Sequence, residues 1–242
     1  MLPLLRKELH QFFSSLTGYL SIGLFLLLMG LFLFVFPSTS LFEYGYATLD
    51  KFFELAPWVL LLLVPAVTMR SLADEFRSGT WELLKTRPLR LRHIVLAKWL
   101  ASLLVVLLAL LPTLLYVFTI RSLSINGSID SGAIAGSYVG LLLLAAAFTA
   151  IGIWSSSLTA NPIVGFLAAA FLCFLLYSGF SAVAAIPALQ GGADYWVGLL
   201  GMQEHYKGLS RGVLSLADAS YFIIVVALFI YFTIQLLQQR QA

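Results

Sequence analysis

Long apolar runs, separated by short polar breaks, dominate this chain. Six of them meet or approach the roughly twenty residues that a helix needs to cross a bilayer core: residues 19–36, 55–69, 94–120, 133–154, 163–185 and 221–237. Ahead of the first run, Leu5, Leu9, Phe12, Phe13 and Leu16 recur near the helical period, with Arg6, Lys7, His10 and Ser14 opposite. That spacing predicts an amphipathic helix lying along the membrane surface. The first run is longer than the roughly 7 to 15 residues of a signal-peptide core, and no small-residue cleavage site follows it, so it is read as a retained span. The pattern predicts an all-α integral membrane protein: six transmembrane helices forming one domain over 1–242.

Two breaks between runs are out of the ordinary. Residues 186–220 hold Tyr195, Trp196, Val197, Leu199, Leu200 and Met202, an apolar stretch too short to cross a core of ~30 Å. It reads as re-entrant or interfacial helices between spans 5 and 6, with Gly191 and Gly192 as hinge, Asp194 as helix cap and a second short segment beginning near Leu209. The link 155–161 is short and uncharged, enough for a turn. Between the second and third runs lies a charged connection, 70–93. A short helix after Met69 breaks at Ser78 and Gly79, restarts over 80–85 with Glu82 in its first turn, and stops at Arg87 and Pro88. Trp81, Leu83 and Leu84 in this exposed hairpin suit a knob pressed into a partner's groove.

Composition agrees with the periodicity. The chain is 61% hydrophobic and 10% charged, with a mean hydropathy of +0.97, which places it among polytopic membrane proteins. Arg70, Arg77, Lys85, Arg87, Arg90, Arg92 and Lys98 cluster in or beside one connection. With Arg6, Lys7 and Arg240 they outweigh Lys51, Arg121, Lys207 and Arg211 in the opposite loops. The positive-inside rule therefore puts both termini and the hairpin in the cytoplasm, and the 186–220 segment outside. Lys98 is read as snorkelling from the cytoplasmic end of its span, and no span is read as holding a buried carboxylate. Pro65 and Pro112 are read as kinks, and Gly136 and Gly140 as a close-packing seam.

Candidate chemistry is sparse. Gly208, Ser210 and Gly212 satisfy G-x-S-x-G, but that elbow needs a strand-turn-helix setting this pattern does not provide. His10, His93 and His205 lie in surface segments without ligand spacing, and Cys173 is alone. No phosphate-cradling glycine loop occurs. The chain is read as non-catalytic, with no cofactor, metal or nucleic acid of its own.

The hairpin carries a resemblance. Glu75, Gly79, Thr80, Glu82, Leu83 and Leu84, then Pro88, Ile94 and Lys98, resemble the coupling-helix region of type-2 ABC exporter permeases. Residues 1–18, with Lys7, Glu8, Phe12 and Phe13, are similar to that family's connecting helix. Arg211, Gly212 and Asp218 resemble the stretch leading into its last span. Within the family, length and the run 4–34 look most like the gliding-motility ABC permeases of Bacteroidetes. The resemblance implies an inner-membrane half-transporter. Its hairpin, 72–89, would dock into a separate cytoplasmic ATPase that holds ATP and Mg, with Trp81, Leu83 and Leu84 as anchors and Glu75, Arg77, Glu82 and Arg87 as steering charges. It also implies pairing with a second permease-like subunit bearing a large extracytoplasmic domain, or with a second copy of this chain, in contact with membrane lipid. Family precedent places Val64, Phe166, Phe174 and Tyr177 along a central path. The rival reading is a polytopic scaffold or secondary transporter with no ATPase partner.

Overall fold

The computed structural model describes residues 2–37, 39–40, 48–85, 90–124, 129–187 and 191–240, and every element among them is helical. A surface helix α1 (Leu2–Phe13) leads into α2 (Leu16–Phe34). Helix α3 (Asp50–Thr68) continues, across a short break, into α4 (Ala73–Arg77), and α5 (Thr80–Lys85) completes the hairpin. Helices α6 (Leu91–Leu110) and α7 (Leu114–Leu123) form the next tract, followed by α8 (Ser131–Leu158), α9 (Pro162–Phe174) and α10 (Phe180–Ala184). Two short helices, α11 (Ala193–Gly198) and α12 (Met202–Leu209), precede α13 (Leu216–Gln239).

Five helical tracts are long and apolar enough to cross a membrane: Asp50–Arg77, Leu91–Leu123, Ser131–Leu158, Pro162–Ala184 and Leu216–Gln239. The N-terminal pair, bent by 68° between α1 and α2, brings the number to six if it is counted as one span. Each tract matches one apolar run of the sequence. Pro112 interrupts the 91–123 tract in a tight turn, Leu111–Thr113, where the Thr113 hydroxyl donates to the Leu110 carbonyl at 2.6 Å. In the tight turn the Leu114 N–H donates to the Leu111 and Pro112 carbonyls, and the Thr113 hydroxyl takes its place at the Leu110 carbonyl. The tract 162–184 widens into one π-type turn at Leu175–Gly179, which swings Tyr177 inward against Trp58, Phe148 and Tyr206.

Helix α8 is the axis of the bundle: α3, α6, α9, α12 and α13 all pack on it. Its sequence explains why. Gly136, Gly140, Ala145, Ala147, Ala150 and Gly152 are all buried, and small residues let neighbouring backbones approach, the main route to helix association in lipid. A Cβ at Gly152 would collide with the Thr68 side chain of α3. At the other end of α8, a Cβ at Gly136 would stand 2.6 Å from the Gly212 carbonyl, and one at Gly140 2.5 Å from the Leu209 Cβ. The GxxxG seam is therefore occupied within the chain. Helix α2 lies at the edge, burying Phe25, Met29 and Leu33 and exposing Leu20, Leu24 and Leu27. Leu16, read from sequence as part of the α1 stripe, is 74% exposed, because the chain turns at Ser14 and Ser15 and starts a new helix there.

Replacing Gly136 by Ala is expected to lower the thermal unfolding midpoint in detergent. The inserted methyl overpacks the contact between α8 and the turn after α12, an effect of about 1–3 kcal/mol. Gly23→Ala and Gly30→Ala, where nothing lies within 4 Å, should leave the midpoint unchanged or raise it. Equal behaviour of all three variants would remove the seam's claimed role.

Candidate functional site

The hairpin forms because α3 cannot run straight into α4. Met69 to Leu72 leave the helix, and the freed backbone groups meet a side chain from α8: the Ser156 hydroxyl accepts from the Leu72 and Ala73 N–H groups, both at 3.1 Å, and donates to the Met69 carbonyl at 2.9 Å. One buried serine thus satisfies three groups that a break would otherwise leave unpaired. Helix α4 ends at Ser78, and Gly79, at φ +70°, makes the turn that an L-residue adopts only with strain. Helix α5 follows, with the Ser78 and Thr80 hydroxyls 2.9 Å apart.

Beneath the hairpin lies a buried charge cluster. Lys98 of α6 is 1% exposed. Its ammonium donates to Glu8 Oε1 at 2.9 Å, to Glu75 Oε1 at 2.9 Å and to the Ser71 carbonyl at 2.7 Å. All three N–H donors are thereby used. The Lys7 ammonium sits 3.8 Å from the same Glu75 oxygen, on a side chain 56% exposed. The cluster ties α1, the α3–α4 break, α4 and α6 together. Two sequence expectations fail at this point. Lys98 does not snorkel, because two carboxylates and a carbonyl replace water around its ammonium. Glu75, 9% exposed, is a buried carboxylate at the end of the Asp50–Arg77 tract and faces the cluster, not a docking rim. A cavity of about 360 Å³ opens beside these charges, between α1, α3, α4 and α6.

The other hairpin residues divide by exposure. Arg77, Gly79, Thr80 and Glu82 are exposed. Trp81 is not the exposed knob its sequence setting implied: it is 4% exposed, edge-on to Phe76 at 5.5 Å, within an apolar cluster with Leu72, Ile94, Val95, Ile153 and Leu237. It holds the hairpin down. From below, the Arg240 guanidinium lies 4.5 Å over the Phe76 ring and donates to the Leu158 carbonyl at 2.9 Å. The backbone at Leu83 and Leu84 is helical, their side chains fall outside the described residues, and so do Arg87 and Pro88. In the connecting helix, Phe12 and Phe13 meet edge to face at 5.6 Å and pack on the core.

The opposite end gathers the remaining sequence candidates. Gly191 and Gly192, at φ +125° and +136°, form the hinge. Asp194 caps backwards, accepting from the Gly192 N–H at 2.9 Å, a bond that holds its carboxyl below the usual range. Tyr195 and Trp196 are exposed at 64% and 71%. The second short helix begins at Met202, not near Leu209, since Gly201 is already extended there and starts it. Gly212, at φ +83°, makes the turn after α12 while pressed against Ala133 of α8; Arg211 is exposed beside it. Sequence reading missed the ring of contacts that seats α12. His205 lies between Asp218 Oδ1 at 2.7 Å and the Leu199 carbonyl at 2.9 Å, stacked on Tyr221 at 4.0 Å. The Tyr206 hydroxyl donates to the Phe53 carbonyl at 2.9 Å, and burial pushes that phenol well above its ordinary value. Of the four path residues implied by resemblance, Val64 and Tyr177 are buried inside the chain, Phe166 is half-buried, and Phe174 is 50% exposed beside Trp58.

What the sequence offered for the charge cluster was a lone lysine inside an apolar run, a type that in membrane helices pairs with carboxylates. Lys98→Met should lower stability strongly, by about 3–5 kcal/mol for a broken buried pair, because two carboxylates lose their partner. Combining it with Glu8→Gln and Glu75→Gln should recover much of the loss in denaturation measured in micelles. No recovery would mean that the ion pairing is not what holds these elements.

No curated protein matches the chain. The sequence profile of the ABC-2 family transporter proteins matches residues 58–237, a stretch that includes the hairpin, Lys98, Ser156 and the α11–α12 pair. Proteins of this family are the membrane permease components of ABC transporters, in keeping with the apolar helical tracts described above. The chain belongs to the ABC-2 transporter family.

Proposed function

We propose that this chain is the permease half of an ATP-driven exporter of the inner membrane, with six spans and both termini cytoplasmic, and that its 72–89 hairpin docks into a separate ABC ATPase. ATP and Mg belong to that partner. The observation that carries this reading is mechanical: the hairpin is seated on α1 and α6 through Lys98, and on α8 through Ser156. A load applied to it reaches three helices at once. Its outer face offers Arg77, Thr80 and Glu82, with Leu83 and Leu84 next in sequence as apolar anchors. Buried anchors dominate such contacts at roughly 2 kcal/mol or more each, while rim charges mainly set the association rate. Trp81 and Glu75 support this surface from beneath.

The permease is further proposed to serve gliding motility, paired with a second permease-like subunit that bears a large extracytoplasmic domain, or with a second copy of itself. Support comes from the N-terminal run 4–34 and the hairpin pattern. The exposed apolar faces of α9 (Ile163, Leu167, Phe171) and α2 (Leu20, Leu24, Leu27) are surfaces for lipid or such a subunit. Of the candidate path residues Val64, Phe166, Phe174 and Tyr177, Phe174 is the one that faces outward, paired with Trp58 at 6.4 Å.

Leu83→Asp should abolish co-purification of the ATPase while membrane insertion persists, and Arg90→Ala should change little. Retention of the ATPase by Leu83→Asp would return the hairpin to a topology signal and favour the scaffold reading. For the topology, a cysteine at Gly192 should label from outside whole cells and one at Ser78 should not; labelling at Ser78 would reverse the orientation and remove the docking role.

A further inference from the structure

Helix α12 is fastened to the bundle by two neighbouring residues that reach different helices. Tyr206 reaches α3, where its hydroxyl donates to the Phe53 carbonyl. A helical carbonyl ordinarily accepts from the N–H four residues on, but Pro57 stands there and has none. The phenol meets that acceptor, and burial, which pushes it well above its ordinary value, keeps its hydrogen in place. His205 reaches α13, and its setting is of another kind. Its Nδ1 faces Asp218 Oδ1 at 2.7 Å and its Nε2 faces the Leu199 carbonyl at 2.9 Å. Both partners are acceptors, whereas a neutral imidazole carries one hydrogen for its two nitrogens. Only the imidazolium donates to both. The Tyr221 ring, stacked on it at 4.0 Å, presents its electron-rich face to the same charge. The other titratable groups on the elements around α12 have partners of their own. Glu204 and Lys207 of α12 bond each other, Tyr138 of α8 bonds Thr113, and Asp130 caps α8 at Ala133. Tyr177 of the π-type turn lies against Tyr206, Glu54 of α3 pairs with Lys51, and Asp194 of α11 accepts from Gly192. Arg211, just past α12, is exposed.

We propose that His205 is a proton-operated latch: with its ring charged, α12 and the turn at Leu199 are clamped to α13, and with its ring neutral that side of α12 opens while Tyr206 still pins the helix to α3. The sign follows from the hydrogens. The clamped state uses both ring N–H groups and the open state returns them to water, so protonation favours clamping. The clamp is tightest in acid and is lost as pH rises through the range of roughly 5 to 8 in which histidine side chains titrate. A neutral ring leaves the Leu199 carbonyl or the Asp218 carboxylate, both partly buried, facing a lone pair instead of a hydrogen. With this end of the bundle outside the cell, as proposed above, the latch answers to external pH; its test needs neither that orientation nor an ATPase.

Backbone hydrogen exchange over residues 202–209 is followed by mass spectrometry in the full-length protein in detergent micelles, at about pH 5.5 and about pH 8, on either side of the histidine range. Each rate is compared with that of His205→Phe at the same pH, which cancels the intrinsic pH dependence of exchange. Phenylalanine keeps a ring against Tyr221 and has no hydrogen to donate. At the lower pH the native segment should exchange about tenfold or more slowly than the variant's, the ordinary yield of a hydrogen bond to a charged group, and at the higher pH the ratio should fall to about threefold or less, since only the uncharged contacts remain. Asp218→Asn gives a second comparison if His205→Phe fails to fold. There a neutral ring satisfies both neighbours, donating to Leu199 and accepting from the amide, so native protection relative to this variant should likewise fall as pH rises. A native-to-variant ratio that is the same at both pH values, or larger at the higher one, would overturn the proposal.

Discussion

A lysine held out of water needs every one of its hydrogens met, and the arrangement at Lys98 follows from that requirement. Its ammonium finds Glu8 from α1, Glu75 from α4 and the Ser71 carbonyl from the break between α3 and α4. Isolated, any of these charges would be expensive beside an apolar core. Together they fix the position of four elements. Glu8 ties the surface helix to α6, and Glu75 ties the hairpin to it. Such a cluster contributes less to net stability than to uniqueness: an apolar replacement of all three groups is tolerable, whereas removal of one is not.

The second constraint is backbone proximity along α8. Gly152 admits Thr68 of α3, and Gly136 and Gly140 admit the turn at Gly212 and the end of α12. Lipid gives no hydrophobic incentive for helices to associate, so contact area won by small residues takes its place. The same helix supplies Ser156 to the hinge at one end and Ser137, which donates to the Ser210 carbonyl at 3.0 Å, at the other. One rigid rod therefore touches both the hairpin and the α11–α12 pair. A displacement of the hairpin has a packed route to the opposite end through α8, and a second through α13, whose Asp218 meets His205 and which ends at Arg240, over the Phe76 ring.

Burial changes the meaning of several residues in the hairpin. Trp81 and Glu75 read in the sequence as an anchor and a steering charge toward a partner, and both face inward. What remains outside is a small rigid surface whose shape depends on groups beneath it. Function placed there is sensitive to changes that never touch a partner, including at Ser156, Phe76 and Arg240.

The sequence by itself determined the helical membrane class, the position of each apolar tract, the hairpin with its break at Ser78 and Gly79, and the hinge at Gly191 and Gly192. These follow from local rules: about twenty apolar residues make a span, glycine at positive φ makes a turn, and a period near 3.6 makes an amphipathic helix. It did not determine partners far apart in the chain. Lys98 was legible as a charge in an apolar run, but nothing in its neighbourhood named Glu8, 90 residues earlier, or Glu75. Ser156 looked like a loop residue and is the clasp of a hinge more than 80 residues away. His205 looked like a surface residue and is held by Asp218 and Tyr221. Periodicity says which face of a helix is apolar. Which polar group meets which is decided only when helices distant in sequence pack, because desolvation then leaves each buried donor and acceptor to be satisfied by whatever the tertiary structure brings beside it.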